Sequence, residues 1–350
     1  MAGAKPPAAR PQSPAPSASS SATDPALGNP GTAGSPGIDK PSPANTTPAK
    51  VLFGGMKQPA PIAAHAIGGY ANGCLAGARA LPVDGKAWQA MRLNRNRNWG
   101  HPALVTWLER FALDAQKQDG WPGLLVGDMS QPRGGPMLTG HASHQIGLDA
   151  DIWLTPMPDR RLSHTEREEM SAVSMLAPGQ LEVDPAVWDA RRSKIIKRAA
   201  SSAEVERIFV HPAIKKSLCE NAASFGPDRS WLAKVRAYWG HHYHFHVRLG
   251  CPKDSASCKP QPAVPGEDGC GQELADWYKR LTAPPKPAVG PPQPPPPPMT
   301  VDRMPTECRA VLETGISRLI TPTSGAGGGP AATANVGTAG APGAAAPKQK

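Results

Sequence analysis

The clearest alternation of polar and apolar side chains lies in residues 239–249. Every second residue from Tyr243 onward is apolar: Tyr243, Phe245, Val247 and Leu249. Because successive side chains of a β-strand point to opposite faces, this pattern predicts a strand with one face against a core. The other face would carry His242, His244, His246 and Arg248. Clustered histidines are typical of ligands, bases or switches rather than of packing.

Other segments repeat with the period of an α-helix. Leu104, Trp107, Leu108 and Phe111 form an apolar stripe, which predicts a helix that Pro102 opens and Gly120 ends. Further helices are predicted at 187–201, 212–219 and 230–238, and on the stripes Leu274, Trp277, Tyr278, Leu281 and Val311, Leu312, Ile316, Leu319.

Short strands are predicted at 124–126, 148–154 and 207–210. In 148–154 the apolar residues alternate with Asp149, Asp151 and Trp153, which indicates a half-buried strand with carboxylates on its open side. The strands and helices follow no regular βαβ order. We therefore expect an α+β fold: a single domain in which helices surround a small antiparallel sheet that carries the functional site.

Composition divides the chain into five segments. Its 43 prolines and 36 glycines gather near the ends, where little apolar surface is available to offset the entropy of ordering. We expect a disordered Pro/Ala/Ser-rich segment, one folded domain, a proline-rich linker, a short helical segment and a disordered tail, at 1–51, 52–282, 283–300, 301–320 and 321–350.

The 38 basic and 28 acidic residues give a formal net charge of +10. This excess suits an anionic partner such as a cell-wall polymer, a membrane surface or nucleic acid, and it suits an ordinary solvated surface equally well. The basic residues are scattered, and no Arg-rich helix or aromatic RNA-binding motif is present. We therefore expect no nucleic-acid partner.

The six cysteines form no CxxC pair. This disfavours a zinc ribbon and favours three disulfides in an oxidising compartment, although six cysteines allow fifteen pairings. The first fifty residues contain no apolar core of signal-peptide length, so the route of export is not apparent. No stretch is long enough to span a membrane, and nothing indicates an oligomeric state.

Two segments concentrate the residue types that bind metals. The first contains His141, His144, Asp149 and Asp151, and the second contains the histidines from His241 to His246. Catalytic zinc is commonly held by three protein ligands, and the HExxH helix of zincins is absent here. His144 and Asp151 could meet His246 across neighbouring antiparallel strands, with His244 on the same side to handle a proton. Spacing alone leaves this assignment open.

The chain resembles the penicillin-insensitive murein endopeptidases, zinc peptidases related to lysostaphin-type and D-Ala-D-Ala peptidases. The resemblance is strongest in Gly-His-Ala-Ser-His-Gln-Ile-Gly-Leu-Asp-Ala-Asp-Ile at 140–152 and His-His-Tyr-His-Phe-His-Val-Arg-Leu at 241–249. It extends from about Gly69 to Cys308 and includes Asn72-Gly73-Cys74, Gly127-Asp128-Met129 and Asp268-Gly269-Cys270-Gly271.

The resemblance implies a role for most histidines of the two segments. His144, Asp151 and His246 would hold zinc. His244 would be the general base or oxyanion stabiliser, with His241 as a second catalytic histidine. His141 would help to hold an additional metal, for which Glu182 and Asp184 are weak partners.

The same resemblance implies the disulfides Cys74–Cys308, Cys219–Cys270 and Cys251–Cys258. It also implies hydrolysis of the D-alanyl–meso-diaminopimelyl cross-link of peptidoglycan in the periplasm. Arg133 or Arg248 could bind substrate carboxylates, and Asp149 could support a ligand histidine instead of binding metal itself. Trp153, Trp239 and His242 are expected to have packing or minor roles. The alternative functions are a D,D-carboxypeptidase or dipeptidase with the same zinc site, and a non-catalytic wall-binding module.

Overall fold

The computed structural model describes residues 46–264, 266–284 and 296–315. Within these ranges the chain forms seven α-helices: α1 (Ala49–Gly55), α2 (Pro102–Asp119), α3 (His164–Glu169), α4 (Ala190–Ala200), α5 (Pro212–Glu220), α6 (Gln272–Thr282) and α7 (Glu307–Glu313). The same ranges contain ten strands: β1 (His65–Gly69), β2 (Asn72–Ala76), β3 (Arg79–Ala80), β4 (Trp88–Ala90), β5 (Trp99–Gly100), β6 (Leu124–Val126), β7 (Asp149–Trp153), β8 (Val205–Val210), β9 (Val235–Ala237) and β10 (His244–Leu249).

One sheet organises the molecule, with six strands in the order β4-β6-β7-β10-β8-β9. Its central pairs β6–β7, β7–β10 and β8–β10 are antiparallel, as expected, whereas the outer pairs β4–β6 and β8–β9 are parallel. The α+β class and the single domain are therefore confirmed, with a sheet that is larger and more mixed than expected. Two small two-stranded sheets, β1–β2 and β3–β5, lie outside it.

Several helices and strands follow the sequence pattern closely. Helix α2 starts at Pro102, and Gly120 ends it in the left-handed conformation at φ +66°. The strands at 124–126 and 205–210 and the helices α4, α5 and α6 lie where periodicity predicts them. Ile316 and Leu319, and most of the tails expected to be disordered, lie outside the described residues, while α1 begins at Ala49, inside the segment expected to lack structure.

Three predictions about local structure were wrong. The histidine strand begins only at His244, because Gly240 is left-handed at φ +84° and interrupts the extended run. Residues 230–238 form a 3₁₀ turn followed by β9 rather than one helix. Strand β7 is buried along its whole length, so its carboxylates do not face solvent.

A second, smaller core lies beside the main one. It joins α1, the β1–β2 hairpin and α7 through Phe53, Ile67, Cys308 and Val311. The three disulfides have the pairing that the resemblance implies, and Cys74–Cys308 ties α7 to β2 inside this core.

Arg133 completes the attachment of α7. Its buried guanidinium donates hydrogen bonds to the carbonyl oxygens of Val311, Leu312 and Thr314 at 2.7–2.8 Å. These are C-terminal carbonyls that the helix itself leaves without partners. Arg133 is therefore committed to the fold, and the suggestion that it binds substrate is wrong.

No helix in the described ranges combines the length and the apolar character needed to cross a bilayer.

Removing the disulfide between Cys74 and Cys308 should destabilise the protein by about 2–5 kcal/mol, because it closes a long loop in the unfolded chain. The bridge spans 234 residues in sequence, whereas Cys251–Cys258 spans seven. Urea unfolding of the double variant Cys74→Ala/Cys308→Ala measures the loss. The control, Cys251→Ala/Cys258→Ala, should lose less, and an equal or larger loss there would contradict the loop-length argument.

Candidate metal centre

The pairing of β7 with β10 places the two metal-binding segments side by side. Asp151 lies directly opposite His246, and Asp149 lies opposite Arg248. Residues opposite each other in an antiparallel pair project to the same face, so both carboxylates face the side chains of alternate β10 residues.

Asp151 is the centre of this arrangement. Its Oδ1 lies 3.2 Å from His246 Nδ1 and 3.5 Å from both His144 Nε2 and His244 Nε2. Its Oδ2 lies 3.4 Å from His141 Nε2. The structure thus brings four of the predicted site histidines around one carboxylate that is only 4% exposed.

Several buried polar atoms in this cluster lack hydrogen-bond partners. Among the described residues, neither ring nitrogen of His144, nor Oδ1 of Asp151, nor Nδ1 of His244 forms a well-directed hydrogen bond, although Asp151 Oδ1 has imidazole nitrogens at 3.2–3.5 Å. Buried polar groups are normally bonded, and an orphaned one costs roughly 1–3 kcal/mol. A bound cation would satisfy the nitrogen and oxygen lone pairs directed at one another here.

The donor set also fits a metal ion. His141, His144 and Asp151 each offer one ligand atom, and these atoms lie within 4.8 Å of one another. Imidazole nitrogen with carboxylate oxygen is a set that zinc takes in hydrolases. His246 Nδ1 lies 3.2 Å from Asp151 Oδ1, the oxygen that also faces His144. The site can therefore draw its ligands from four residues: these three and His141.

Asp149 orients two of these residues without facing the cluster centre. Its Oδ1 lies 2.9 Å from His246 Nε2, and its Oδ2 accepts the backbone N–H of His144 at 2.9 Å. A proton held on Nε2 by Asp149 leaves Nδ1 of His246 free to bind a metal. The sequence left two roles open for Asp149, to bind the metal or to support a ligand histidine. Its position in the structure is that of a supporting residue.

Arg248 keeps Asp149 ionised. Its Nε donates to Asp149 Oδ1 at 2.6 Å, and its guanidinium stacks 4.1 Å from the centre of the Tyr70 ring. Burial alone would raise the pKa of Asp149, but Arg248 and His246 hold it well below its usual range. Arg248 lines the cleft and directs Nε and Nη2 at Asp149, and its suggested binding of substrate carboxylates stays a prediction.

His144 has an unusual backbone conformation for a residue with a side chain. Its φ is +67°, in the left-handed region where only glycine is comfortable. Strain of this kind persists where the surroundings enforce it, often at functional sites. Gln145 supplies much of that enforcement: its side chain donates to Ala142 O at 3.0 Å and accepts from Gly73 N at 3.2 Å. Sequence reasoning missed Gln145, whose only signal is that it follows His144.

Asp128 joins His141 to two arginines. One oxygen, Oδ2, lies 3.1 Å from His141 Nε2 and 2.9 Å from the Nη1 atoms of both Arg95 and Arg97. Although burial opposes it, the His141 hydrogen bond and the neighbouring cations lower the pKa of Asp128 to about 2.

The acidic neighbours of His141 are therefore Asp128 and Asp151. The structure does not bring Glu182 or Asp184 to it: Glu182 pairs with Lys216 on the surface, and Asp184 caps the backbone N–H of Ala186.

The remaining histidines of 241–246 have different surroundings. Burial lowers the pKa of His244 to about 4, so its imidazole is neutral at pH 7. The His241 ring lies 4.9 Å from that of His244, and its Nδ1 is 2.9 Å from Trp239 O. His242 turns away from the cluster and places Nδ1 3.0 Å from Ser174 Oγ.

A cleft of about 510 Å³ opens over the cluster. His141, His241, His244 and His246 line its floor, and Trp239 lies at its margin, 50% exposed. Trp153 is not part of the cleft: it packs with Met91, Leu125 and Leu162 in a small buried cluster, in the packing role expected of it. The arrangement places the imidazoles of His141, His241, His244 and His246 where a substrate can reach them, beside the buried Asp151.

Comparison with known proteins agrees with this geometry. Residues 66–313 match the family described as penicillin-insensitive murein endopeptidase. A penicillin-insensitive murein endopeptidase of Haemophilus influenzae is 47% identical over 247 residues, covering 68% of this chain and 84% of that protein. Proteins of the same name from Salmonella heidelberg and Salmonella typhi are each 44% identical over 258 residues, covering 74% of this chain and 89% of theirs. The chain belongs to the penicillin-insensitive murein endopeptidase family.

Proposed function

We propose that the protein is a zinc-dependent murein endopeptidase that hydrolyses the D-alanyl–meso-diaminopimelyl cross-link of peptidoglycan in the periplasm. The observation that carries this proposal is the convergence of four imidazoles on Asp151 beneath an open cleft, with both ring nitrogens of His144 unpartnered among the described residues. The three disulfides agree with an oxidising compartment.

In this proposal His144, Asp151 and His246 hold the zinc, and His141 lies close enough to support a further metal. Bound by these residues, zinc would supply Lewis acidity for a carbonyl oxygen and would lower the pKa of water. Asp149 keeps the His246 ring in the orientation that points Nδ1 at Asp151. Asp128 Oδ2 lies 3.1 Å from His141 Nε2, the same ring nitrogen that faces Asp151.

His244 and His241 handle protons in this proposal. His244 Nε2 lies 3.5 Å from Asp151 Oδ1, which places it beside any water that approaches this carboxylate. It can therefore accept the proton of the attacking water. His241 lies next to it in the cleft as the second catalytic histidine; because its Nδ1–H donates to Trp239 O, its Nε2 can accept a proton.

Arg95 is the arginine best placed to bind a substrate carboxylate. Its side chain is 49% exposed, and one Nη1–H reaches Asp128 beside His141. Within the part of the chain that the structure describes, no other acceptor uses its remaining donors. An arginine fork with free N–H groups binds a carboxylate in a fixed orientation. We propose that Arg95 orients the peptide by one of its carboxylates.

Chelation should abolish cleavage of cross-linked muropeptides, and zinc should restore it. Chromatography of the digest follows the loss of dimers. His244→Ala should lower the rate about 10²–10⁴-fold, as expected for a lost proton-transfer group. The matched control His242→Ala removes a neighbouring histidine outside the cluster and should leave the rate nearly unchanged.

Three results would contradict the proposal. Activity that survives chelation would exclude the zinc mechanism. Release of terminal D-alanine from monomers, with dimers intact, would identify a carboxypeptidase. Wall binding that is unaffected by His246→Ala, without any cleavage, would identify a non-catalytic module.

Asp149→Asn should weaken zinc binding about 10–100-fold, because the residue that orients His246 and His144 loses its charge. Competition with a chromophoric chelator measures the affinity, and circular dichroism establishes that the variant is folded. Asp184→Asn is the matched control, since Asp184 caps a backbone N–H away from the cluster. Equal affinities in the two variants would exclude the supporting role of Asp149.

Arg95→Gln should raise KM about tenfold, the loss of roughly one charged hydrogen bond, with a smaller change in kcat. A substrate whose free carboxylates are amidated should bind the wild type and the variant equally. Arg110→Gln serves as the control, because Arg110 is 51% exposed and pairs with Glu204 elsewhere. A tenfold effect that persists with the amidated substrate would contradict carboxylate binding by Arg95.

A further inference from the structure

The margin of the cleft continues into a row of exposed aromatic side chains. Tyr238 and Trp239 are 53% and 50% exposed, although both are large and apolar in part. The Tyr238 ring lies 5.4 Å from that of His241 and 6.0 Å from that of Trp277 on α6. We call Trp239, Tyr238 and Trp277 the aromatic strip.

Helix α6 buries only part of its apolar stripe. Leu274 is the buried residue of this helix, whereas Trp277 and Tyr278 on the same apolar stripe are only half-buried. The disulfide Cys219–Cys270 fixes the chain just before the helix, so Trp277 is presented on an anchored segment. Exposed apolar surface on a rigid element commonly marks a binding site.

The chemistry of the strip favours a sugar. An aromatic ring has a negative face, which attracts the weakly positive C–H groups on the face of a pyranose. Arg280 covers one face of the Trp277 ring, with its guanidinium 4.6 Å from the ring centre, so a sugar would stack on the other face and meet the guanidinium donors beyond the ring edge. A lipid surface would instead need a wider apolar patch than three rings beside a cation.

The position of the strip identifies which sugar it would meet. A peptidoglycan cross-link joins peptides that hang from glycan strands, so an enzyme acting on the polymer works beside a strand. The strip begins at the cleft itself, where Tyr238 and Trp239 share the lining with His241. We propose that the aromatic strip binds the glycan strand of the peptidoglycan substrate, an inference that rests on the proposed function.

Two substrates test this inference separately from the proposed function. One is intact peptidoglycan, and the other is the soluble cross-linked peptide dimer freed of sugar by an amidase. Trp277→Ala should raise KM for the polymer about five- to tenfold, the effect of losing one aromatic stacking contact. It should leave cleavage of the peptide dimer within about twofold of wild type, since Trp277 does not line the cleft. Trp277→Phe should recover most of the loss.

Leu113→Ala is the matched control, because Leu113 is 43% exposed on α2 and lies outside the cleft and the strip. It should cleave both substrates like the wild type. A direct measurement titrates peptide-free glycan strands into the protein and follows tryptophan fluorescence. The wild type should show a saturable change, and Trp277→Ala should weaken it.

The remaining outcomes contradict either the proposed function or the glycan site. If the wild type cleaves neither intact peptidoglycan nor the peptide dimer, the proposed function fails, whatever the glycan titration shows. If Trp277→Ala slows cleavage of both substrates equally, or of neither, the glycan site is wrong. If Trp277→Ala lowers the unfolding temperature without any change in glycan binding, the strip serves to pack against another part of the same chain, and the inference is overturned.

Discussion

Two carboxylates buried side by side on β7 are costly unless cations or hydrogen-bond donors surround them. Asp149 and Asp151 lie on the same face of this strand, and both are almost completely inaccessible. An uncompensated buried charge costs several kcal/mol, so the surrounding residues must neutralise both groups. The two receive different compensation. Asp149 has Arg248, a backbone N–H and Nε2 of His246, whereas Asp151 has imidazoles at 3.2–3.5 Å and, among the described residues, no arginine.

This difference in compensation gives the two carboxylates different roles. Arg248 neutralises Asp149 permanently, because a guanidinium does not lose its proton in proteins. Asp149 then becomes a fixed acceptor that positions His246 and the backbone of His144. Asp151 is left with imidazoles, and a divalent cation is the partner that would satisfy it and them together. Charge compensation on one strand thus supports the proposed metal.

The strained conformation of His144 depends on parts of the chain far from β7. Gln145 holds the adjoining backbone through Gly73, which lies next to Cys74 on β2. Cys74 is bonded to Cys308, and Arg133 attaches the same C-terminal helix from the other side. The second core therefore does more than close the chain. It anchors the hairpin against which a candidate ligand is held in a conformation that it would not adopt alone.

Local periodicity was sufficient to predict much of this fold. The stripe of α2, the alternation of β10 and the run at 124–126 each reflect a repeat that is visible within ten residues. The pairing of β7 with β10 was also accessible, because two polar faces with complementary ligand types point to a shared site. The roles of Arg133, Arg95 and Gln145 were not accessible in this way. Their partners lie up to about 180 residues away, and nothing in a short window distinguishes a capping arginine from a binding one.

The contacts of individual arginines change how the net charge of +10 is interpreted. Near the site the arginines have separate roles, since Arg248 compensates Asp149, Arg97 compensates Asp128, and Arg133 caps α7. A basic composition that serves internal carboxylates and carbonyls is poor evidence for an anionic partner. The informative cations are those at the surface with donors to spare beside a cleft. Among the described residues Arg95 is such a cation, since its side chain is 49% exposed and one Nη1–H donates to Asp128, a neighbour of His141.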